Sequence, residues 1–119
     1  MSRRNKNLGD WGEEKACGFL ERHGFRVVER NYHATTGEID IVAEKGGDYY
    51  FVEVKTRHAE ELANDLSITS FKKHKLQKTV RHYCYRRNVG GDCSLILAGI
   101  IIAVDTWAKT ASFRFVVLY

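Results

Sequence analysis

Apolar and polar residues alternate along the chain with two different periods, which together predict two helices and five strands. Before Gly24 and again before Val89, apolar residues recur every three or four positions, which is typical of a helix with one buried face. Elsewhere the period is two, or the residues are continuously apolar, as in strands. The predicted elements are, in order, a helix over 10–24, strands over 25–30, 37–45 and 49–57, a helix over 69–87, and strands over 94–104 and 112–118.

The order of these elements, α-β-β-β-α-β-β, predicts an α/β protein with one mixed sheet flanked by helices. The chain has 119 residues, which corresponds to one domain of ordinary size. We assign residues 10–119 to that domain and residues 1–9 to a basic N-terminal arm. Asp10 is predicted to cap the first helix, with Glu13 completing a capping box. Residues 58–69 are predicted to form an irregular connection or a short helix.

The glycine pair Gly46-Gly47 predicts a two-residue hairpin turn between the second and third strands. In that register Asp40 lies opposite Glu53, and by the same rule Glu38 lies opposite Lys55. Side chains alternate between the two faces of a strand, and directly paired residues share a face. We therefore expect these four polar side chains on one face of the hairpin. The opposite, packed face is expected to contain Ile39, Ile41, Val52 and Val54.

Two carboxylates directly across a hairpin repel each other, and this repulsion has to be offset. A divalent cation would offset it, since oxygen ligands from Asp40 and Glu53 together with water suit Mg²⁺ or Mn²⁺. Lys55 on the same face could then orient a water or stabilise negative charge on a phosphate. The alternative is an ordinary half-exposed hairpin, in which Glu38 and Lys55 form a surface ion pair that contributes little to stability.

The second predicted helix is strongly basic, because no Asp or Glu occurs between Leu66 and Gly91. Its basic residues recur at i, i+3, i+7 and i+11, which places them along a ridge about 16 Å long at 1.5 Å per residue. Such a ridge suits successive phosphates of a nucleic acid without base specificity, and a merely solvated helix face is the alternative. The ridge consists of Lys75, Lys78, His82 and Arg86, and the buried face of Leu76, Val80, Tyr83 and Cys84.

Composition bounds the class of protein without naming a function. The net charge of +4 and the pI of about 9.0 favour an anionic partner. Hydrophobic residues make up 44% and charged residues 29%, which is typical of a folded globular protein rather than a disordered or membrane protein. Cys17, Cys84 and Cys93 are odd in number and contain no C-x-x-C pair, so we expect a reduced, cytoplasmic protein without a structural zinc site.

The hairpin residues resemble a known nuclease motif. Ile39-Asp40 followed by Glu53-Val54-Lys55 resembles the PD-(D/E)xK motif, with isoleucine in place of the proline. Over residues 8–95 the chain resembles the uncharacterised bacterial YraN-like family, which is similar to archaeal Holliday-junction resolvases. The most specific matching segments are GEIDIVA over 37–43 and FVEVKTR over 51–57. The resemblance implies a restriction-endonuclease-like fold, in which helices flank a mixed sheet.

The resemblance also implies roles for individual residues. Asp40 and Glu53 would bind a Mg²⁺ or Mn²⁺ ion, and the Val54 carbonyl would be a third ligand. Glu13 in the first helix would join the metal site, unless it serves only in the capping box. Lys55 would be the catalytic lysine.

The function implied is that of a metal-dependent endonuclease acting on structured DNA, with DNA favoured over RNA. The alternative is a nucleic-acid-binding module that has the nuclease fold but does not cleave.

Glu38 also belongs to the motif and is included among the candidate catalytic residues, with Lys55 as its expected partner. We expect no membrane contact, and a homodimer is left open. Residues 58–69 and the chain after Gly99 do not match the family pattern. The candidate nucleic-acid contacts are Arg57, Lys72, Lys75, Lys78, His82 and Arg86.

Overall fold

The computed structural model describes residues 3–58 and 70–118, with side chains described within residues 8–58 and 73–118. Its elements follow the predicted order α-β-β-β-α-β-β, which is therefore confirmed. Most of the connection predicted over 58–69 lies outside the described residues. The elements are α1 (Arg3–Arg22), β1 (Arg26–Ala34), β2 (Gly37–Lys45), β3 (Asp48–His58), α2 (Ser70–Arg87), β4 (Leu95–Asp105) and β5 (Thr110–Val117).

The strands form one five-stranded sheet in the order β1-β2-β3-β4-β5. Neighbouring strands are antiparallel except β3 and β4, which run parallel. A parallel pair needs a crossover connection, and the chain between β3 and β4 contains α2. Helix α1 contacts β1 to β4, and α2 contacts β1 and β2. The predicted architecture, one mixed sheet flanked by helices, is confirmed.

Each helix buries one face of the sheet. The sheet has a hydrophobic core on each face, one against α1 and one against α2. Phe51 and Val52, which are consecutive in β3, belong to different cores, because side chains alternate between the faces of a strand. The predicted buried face of α2 is confirmed, since Val80 and Tyr83 are buried in the core. The α1-side core consists of Ala16, Cys17, Leu20, Ile41, Ala43, Val52, Ala98, Ile100 and Ile102. The α2-side core consists of Tyr32, Ile39, Val42, Phe51, Val80, Tyr83 and Leu97.

The first helix begins earlier than the sequence predicts. It starts at Arg3 rather than at Asp10, so Asp10 lies inside the helix and the predicted capping box with Glu13 is wrong. Arg, Lys and Leu have high helix propensity, which favours a helix that begins within this polar segment. The predicted end is correct, since Gly24 follows the helix with φ of 86°. Neither α1 nor α2, the helices that the structure describes, is long and apolar enough to cross a membrane.

The hairpin between β2 and β3 confirms the predicted turn and most of the predicted register. Gly46 and Gly47 have φ of 61° and 86°, the positive values that this turn type needs. Lys45 pairs with Asp48 as expected. The ladder ends at Ile41 opposite Val52. Within the described residues it does not continue to the two predicted pairs, Asp40–Glu53 and Glu38–Lys55, and this part of the register is wrong.

Candidate active-site cavity

A cavity of about 550 Å³ lies where β2 and β3 separate, and Lys75, Leu76 and Thr79 of α2 cover it. Three of the predicted acidic residues line it, together with Val54 and one of the predicted basic residues. The structure therefore brings the acids of the motif to one site, although they are not paired across a ladder. The lining residues are Thr36, Gly37, Glu38, Ile39, Asp40, Val52, Glu53, Val54, Lys75, Leu76 and Thr79.

Strand β2 is twisted at Asp40. Ile41 belongs to the α1-side core and Ile39 to the α2-side core, whereas residues two apart in a regular strand share a face. On the neighbouring strand β1, Asn31 has φ of 54°, and the pairing passes from Arg30 opposite Ile41 to Tyr32 opposite Ile39. The prediction that Ile39 and Ile41 pack on the same face is therefore wrong, because the strand changes face between them.

The twist turns the Asp40 carboxylate toward β3. Its Oδ2 accepts a hydrogen bond of 2.8 Å from the backbone N–H of Val54. That N–H would otherwise be an unpaired backbone donor at the point where the two strands separate. A side-chain carboxylate thus continues the contact between β2 and β3 beyond the last ladder pair, and this fixes the carboxylate in the cavity wall.

Burial has a strong electrostatic effect on Asp40. It raises the pKa of this carboxyl from its ordinary 3.8 to about 6, the hydrogen bond from Val54 opposes the rise, and the negative charges of Glu13, Glu53 and Glu38 add to it. Near neutral pH the site therefore concentrates negative charge in a partly desolvated place. A divalent cation is the kind of ligand that would stabilise these carboxylates in their ionised form.

Glu13 on α1 lies outside the cavity lining, but its charge acts on Asp40. Its side chain is almost fully buried, with 9% of the residue exposed, and among the described residues no hydrogen bond reaches its Oε1. Arg30 Nε lies 3.5 Å from that oxygen and forms an ion pair with it. Burial raises the pKa of Glu13, while the charge of Arg30 and hydrogen bonds from Arg30 and Asn31 lower it. The Arg30 guanidinium therefore compensates part of the cost of burying this carboxylate, and a bound cation would compensate it further.

Gly12 lets α1, the helix that contains Glu13, approach β3 closely. A β-carbon at this position would clash with Thr56 Oγ1 and would lie 3.2 Å from Thr56 Cβ. Thr56 is on β3, on the face opposite Glu53 and Lys55, because the ladder with β4 is regular along this strand. Local sequence patterns do not predict this contact. The indication in the sequence is Gly12 itself, because glycine is unfavourable in a helix interior and its presence there points to a role in packing.

The donor set fits a hard divalent cation, because its side chains offer only oxygen atoms. Asp40 and Glu53 line the cavity and Glu13 acts on Asp40 electrostatically. In the described part of the chain, no three side chains of the His, Cys, Asp and Glu types converge closely enough to hold a metal ion. Metal binding by these residues therefore stays a prediction.

The other predicted residues of the hairpin lie around the cavity. Lys55 is half-buried, two positions beyond Glu53 and on the same face of β3, outside the cavity lining. Glu38 is exposed, and its Oε2 lies 3.2 Å from Nδ1 of His33, opposite it on β1. Arg57 is exposed, and its guanidinium donates to the carbonyl of its neighbour Thr56.

The predicted basic ridge of α2 divides into exposed and structural residues. Lys75, Lys78 and Arg86 are exposed, and Lys75 also lines the cavity. His82 is half-buried, with Nδ1 2.6 Å from the hydroxyl of Tyr32, so it contributes to packing between α2 and β1. The side chain of Lys72 lies outside the described residues.

Thr79 is a residue of the cavity wall that the sequence analysis does not identify. It is 1% exposed, and its hydroxyl lies 2.9 Å from that of Thr36 and donates to the carbonyl of Lys75 at 3.0 Å. These contacts hold α2 against the start of β2. Its spacing in the sequence does indicate burial, since Thr79 falls on the same face of the helix as the apolar residues Leu76 and Tyr83.

Comparison with known proteins places the chain among relatives without an assigned activity. Residues 12–117 match the family described as "Uncharacterised protein family UPF0102". A UPF0102 protein of Aliarcobacter butzleri is 39% identical over 102 residues, which is 85% of this chain and 89% of that protein. One from Geobacter metallireducens is 47% identical over 79 residues, 66% of this chain and 65% of that protein. The match thus spans slightly less than two thirds of the Geobacter relative.

Two solved structures have a distant overall similarity to this chain. One is a fdxN element excision controlling factor protein from Anabaena variabilis, with a TM-score of 0.31 and 17% sequence identity, covering 82% of this chain and 91% of that one. The other is an XisH family protein from Nostoc punctiforme, with a TM-score of 0.31, 16% identity, and the same 82% and 91% coverage.

Proposed function

The chain belongs to the uncharacterised protein family UPF0102, and we propose that it is a metal-dependent endonuclease that hydrolyses phosphodiester bonds in structured DNA. The observation that carries this proposal is the Asp40 carboxylate, which is fixed by Val54 in a cavity wall and surrounded by three further carboxylates. A purely structural surface hairpin does not need to bury such a group, because burial without a compensating charge is costly.

Asp40, Glu53 and Glu13 are the side chains that would hold a Mg²⁺ or Mn²⁺ ion, with the Val54 carbonyl as a further ligand. The bound ion would supply Lewis-acid polarisation of the phosphate and an activated water. The protein's own contribution is to position these oxygens, since the Val54 N–H holds the Asp40 carboxylate and Gly12 allows the close approach of α1, the helix that contains Glu13.

Two lysines provide positive charge for the substrate in this proposal. Lys75 on α2 lines the cavity opposite the acids, where an ammonium attracts the phosphate to be cleaved. Lys55 lies on the same face of β3 as Glu53 and stabilises the negative charge that develops on the phosphate during attack. Glu38, at the mouth of the cavity, contacts His33 and has a supporting role.

The exposed basic residues of α2, which include Lys78 and Arg86, bind the phosphate backbone next to the cavity. Arg57 at the end of β3 is a further phosphate contact. Since these contacts reach phosphates and not base edges, they carry no sequence information. We place this activity in the cytoplasm, where the free thiols Cys17, Cys84 and Cys93 stay reduced.

The test is cleavage of branched, flapped, linear duplex and single-stranded DNA in Mg²⁺ or Mn²⁺. We expect cleavage that EDTA, Asp40→Asn and Lys55→Ala each abolish. The matched control is Glu14→Gln, which changes an exposed carboxylate beside Glu13 and should leave cleavage unchanged. Cleavage that survives Asp40→Asn, or that is absent in both metals, contradicts the proposal.

A second candidate function is a nucleic-acid-binding module that does not cleave. The exposed lysine and arginine side chains of α2 favour it, because phosphate binding by this helix requires no metal. The two functions differ in one measurement. Saturable binding of DNA in EDTA, with no cleavage when Mg²⁺ or Mn²⁺ is added, is the result expected only of the binding module.

A further inference from the structure

Trp107 is the most exposed of the large hydrophobic side chains that the structure describes, at 96%. It lies in the turn between β4 and β5. The turn is well defined without the indole, since Asp105 Oδ1 accepts hydrogen bonds from the backbone N–H groups of Trp107 (3.0 Å) and Ala108 (3.1 Å). Lys109 completes it with φ of 54°. The indole is therefore held on a structured turn to whose hydrogen bonds it contributes nothing.

The turn lies at the end of the sheet where β2 and β3 separate. Glu53 pairs with Gly99 on the parallel strand β4, and β4 continues in the same direction to Asp105. At about 3.3 Å per residue, the six residues from Gly99 to Asp105 span roughly 20 Å. A strand of duplex DNA advances about 3.4 Å per nucleotide. Measured along a duplex, the indole is therefore roughly six nucleotides from the level of the acids.

An exposed indole on such a turn suits stacking against a nucleobase. Aromatic side chains bind single-stranded nucleic acid by this contact, independently of base identity. The faces of bases inside an intact duplex are covered by their neighbours, so only an unpaired or terminal base offers one. The turn has one acidic residue, Asp105, whose Oδ1 is engaged by two backbone N–H groups, and one exposed basic residue, Lys109, which can contact a phosphate next to the stacked base.

We propose that Trp107 stacks on an unpaired base of the DNA substrate, separated from the phosphate at the acid cavity by about six nucleotides of duplex. This inference rests on the proposed function in so far as the ligand is DNA, and it adds the class of substrate. DNA with a single-stranded flap or a branch point at this distance binds better than blunt duplex. The contact does not depend on cleavage.

The experiment uses tryptophan fluorescence, because the chain has only two tryptophans, Trp11 and Trp107. In the Trp11→Phe variant the emission comes from Trp107 alone. The variant is titrated in EDTA with single-stranded DNA, with a duplex carrying a single-stranded flap, and with blunt duplex of the same sequence. Fluorescence anisotropy of labelled DNA measures binding in parallel. We expect quenching by single-stranded and flapped DNA and little change with blunt duplex.

Affinity gives the second readout. Trp107→Ala is expected to weaken binding of flapped DNA roughly tenfold, since stacking on one base contributes at about this level, with blunt-duplex binding unchanged and Trp107→Phe intermediate. The control variant Trp107→Phe, whose emission comes from Trp11, should show no quenching. Circular dichroism confirms that each variant is folded.

Two results overturn the inference: unchanged Trp107 emission when anisotropy shows saturated binding, and equal weakening of flapped and blunt DNA by Trp107→Ala. Quenching that rises with protein concentration in the absence of DNA also overturns it, because the indole would then contact a second copy. Quenching without cleavage in Mg²⁺ or Mn²⁺ contradicts the endonuclease alone. Cleavage without quenching contradicts the stacking contact alone.

Discussion

The backbone N–H of Val54 donates a hydrogen bond of 2.8 Å to Oδ2 of Asp40. This contact joins two strands at the position where their regular pairing has ended, and it turns an acidic side chain into a fixed part of the sheet. The same twist of β2 that breaks the ladder opens the cavity between β2, β3 and α2. A buried, oriented carboxylate at such an opening is the main evidence for a catalytic site in this chain.

Asp40→Asn is expected to stabilise the metal-free protein at pH 8. Burial raises the pKa of Asp40 from 3.8 to about 6, so the folded state binds a proton more tightly than the unfolded state. The stability due to this group is complete below about pH 4 and is lost as the pH rises through 6. The variant should therefore gain about 1–3 kcal/mol over the wild type at pH 8 and almost nothing at pH 4.

Urea denaturation in EDTA at pH 4, 6 and 8 measures this difference. The amide still accepts the hydrogen bond from Val54, so the comparison isolates the charge. A variant that is less stable than the wild type at pH 8 would show that the buried charge is compensated within the protein.

Glu13→Gln is expected to weaken binding of Mn²⁺ by a factor of roughly ten or more. Glu13 Oε1 is buried and receives no hydrogen bond from the described residues, and the substitution removes its charge with little change in volume. Glu14→Gln is the matched control, since Glu14 is the exposed next residue of the same helix. Isothermal titration calorimetry measures both. Equal affinities in the two variants would restrict Glu13 to its ion pair with Arg30.

Gly12→Ala is expected to destabilise the protein by roughly 1–3 kcal/mol, because the added methyl group overlaps Thr56 Oγ1. Gly9→Ala in the same helix has nothing within 4 Å of the added carbon and should stabilise by up to about 1 kcal/mol. Thermal denaturation of the two variants gives the comparison. In the double variant Gly12→Ala/Thr56→Ala part of the loss should be recovered, and additive losses would contradict the contact.

Lys78→Ala is expected to weaken DNA binding similarly for all sequences and to lower the slope of log K against log salt by about 1. Lys78 is exposed on α2 beside the cavity. Arg26→Ala is the control, because Arg26 pairs with Glu44 near the hairpin, at the opposite end of β2 from the cavity. Anisotropy titrations between 50 and 200 mM salt, the range over which phosphate contacts weaken, measure both slopes. An equal effect of the two substitutions would remove α2 from the DNA-binding surface.

The resemblance to a nuclease motif identified the acids of the cavity before their geometry was known, but not how they are positioned. Glu13 was assigned to the site by resemblance, and its alternative role in a capping box is removed by a helix that begins at Arg3. Arg30 and Thr79 were not identified. Arg30 acts through a contact with a helix 17 positions earlier in the chain, and Thr79 is a polar residue in a buried position that only its hydroxyl partner Thr36 explains.

The amino-acid sequence by itself determined the order of the elements and the register of the β2–β3 hairpin near its turn. These depend on local properties, namely the period of the apolar residues and the positive φ that Gly46 and Gly47 allow. Only the tertiary structure decided the twist at Asp40, the close approach of α1 to β3 at Gly12, and the separation of the basic residues of α2 into exposed and packed ones. The reason is physical, since each depends on the packing of residues distant in the chain, and local periodicity carries no record of those contacts.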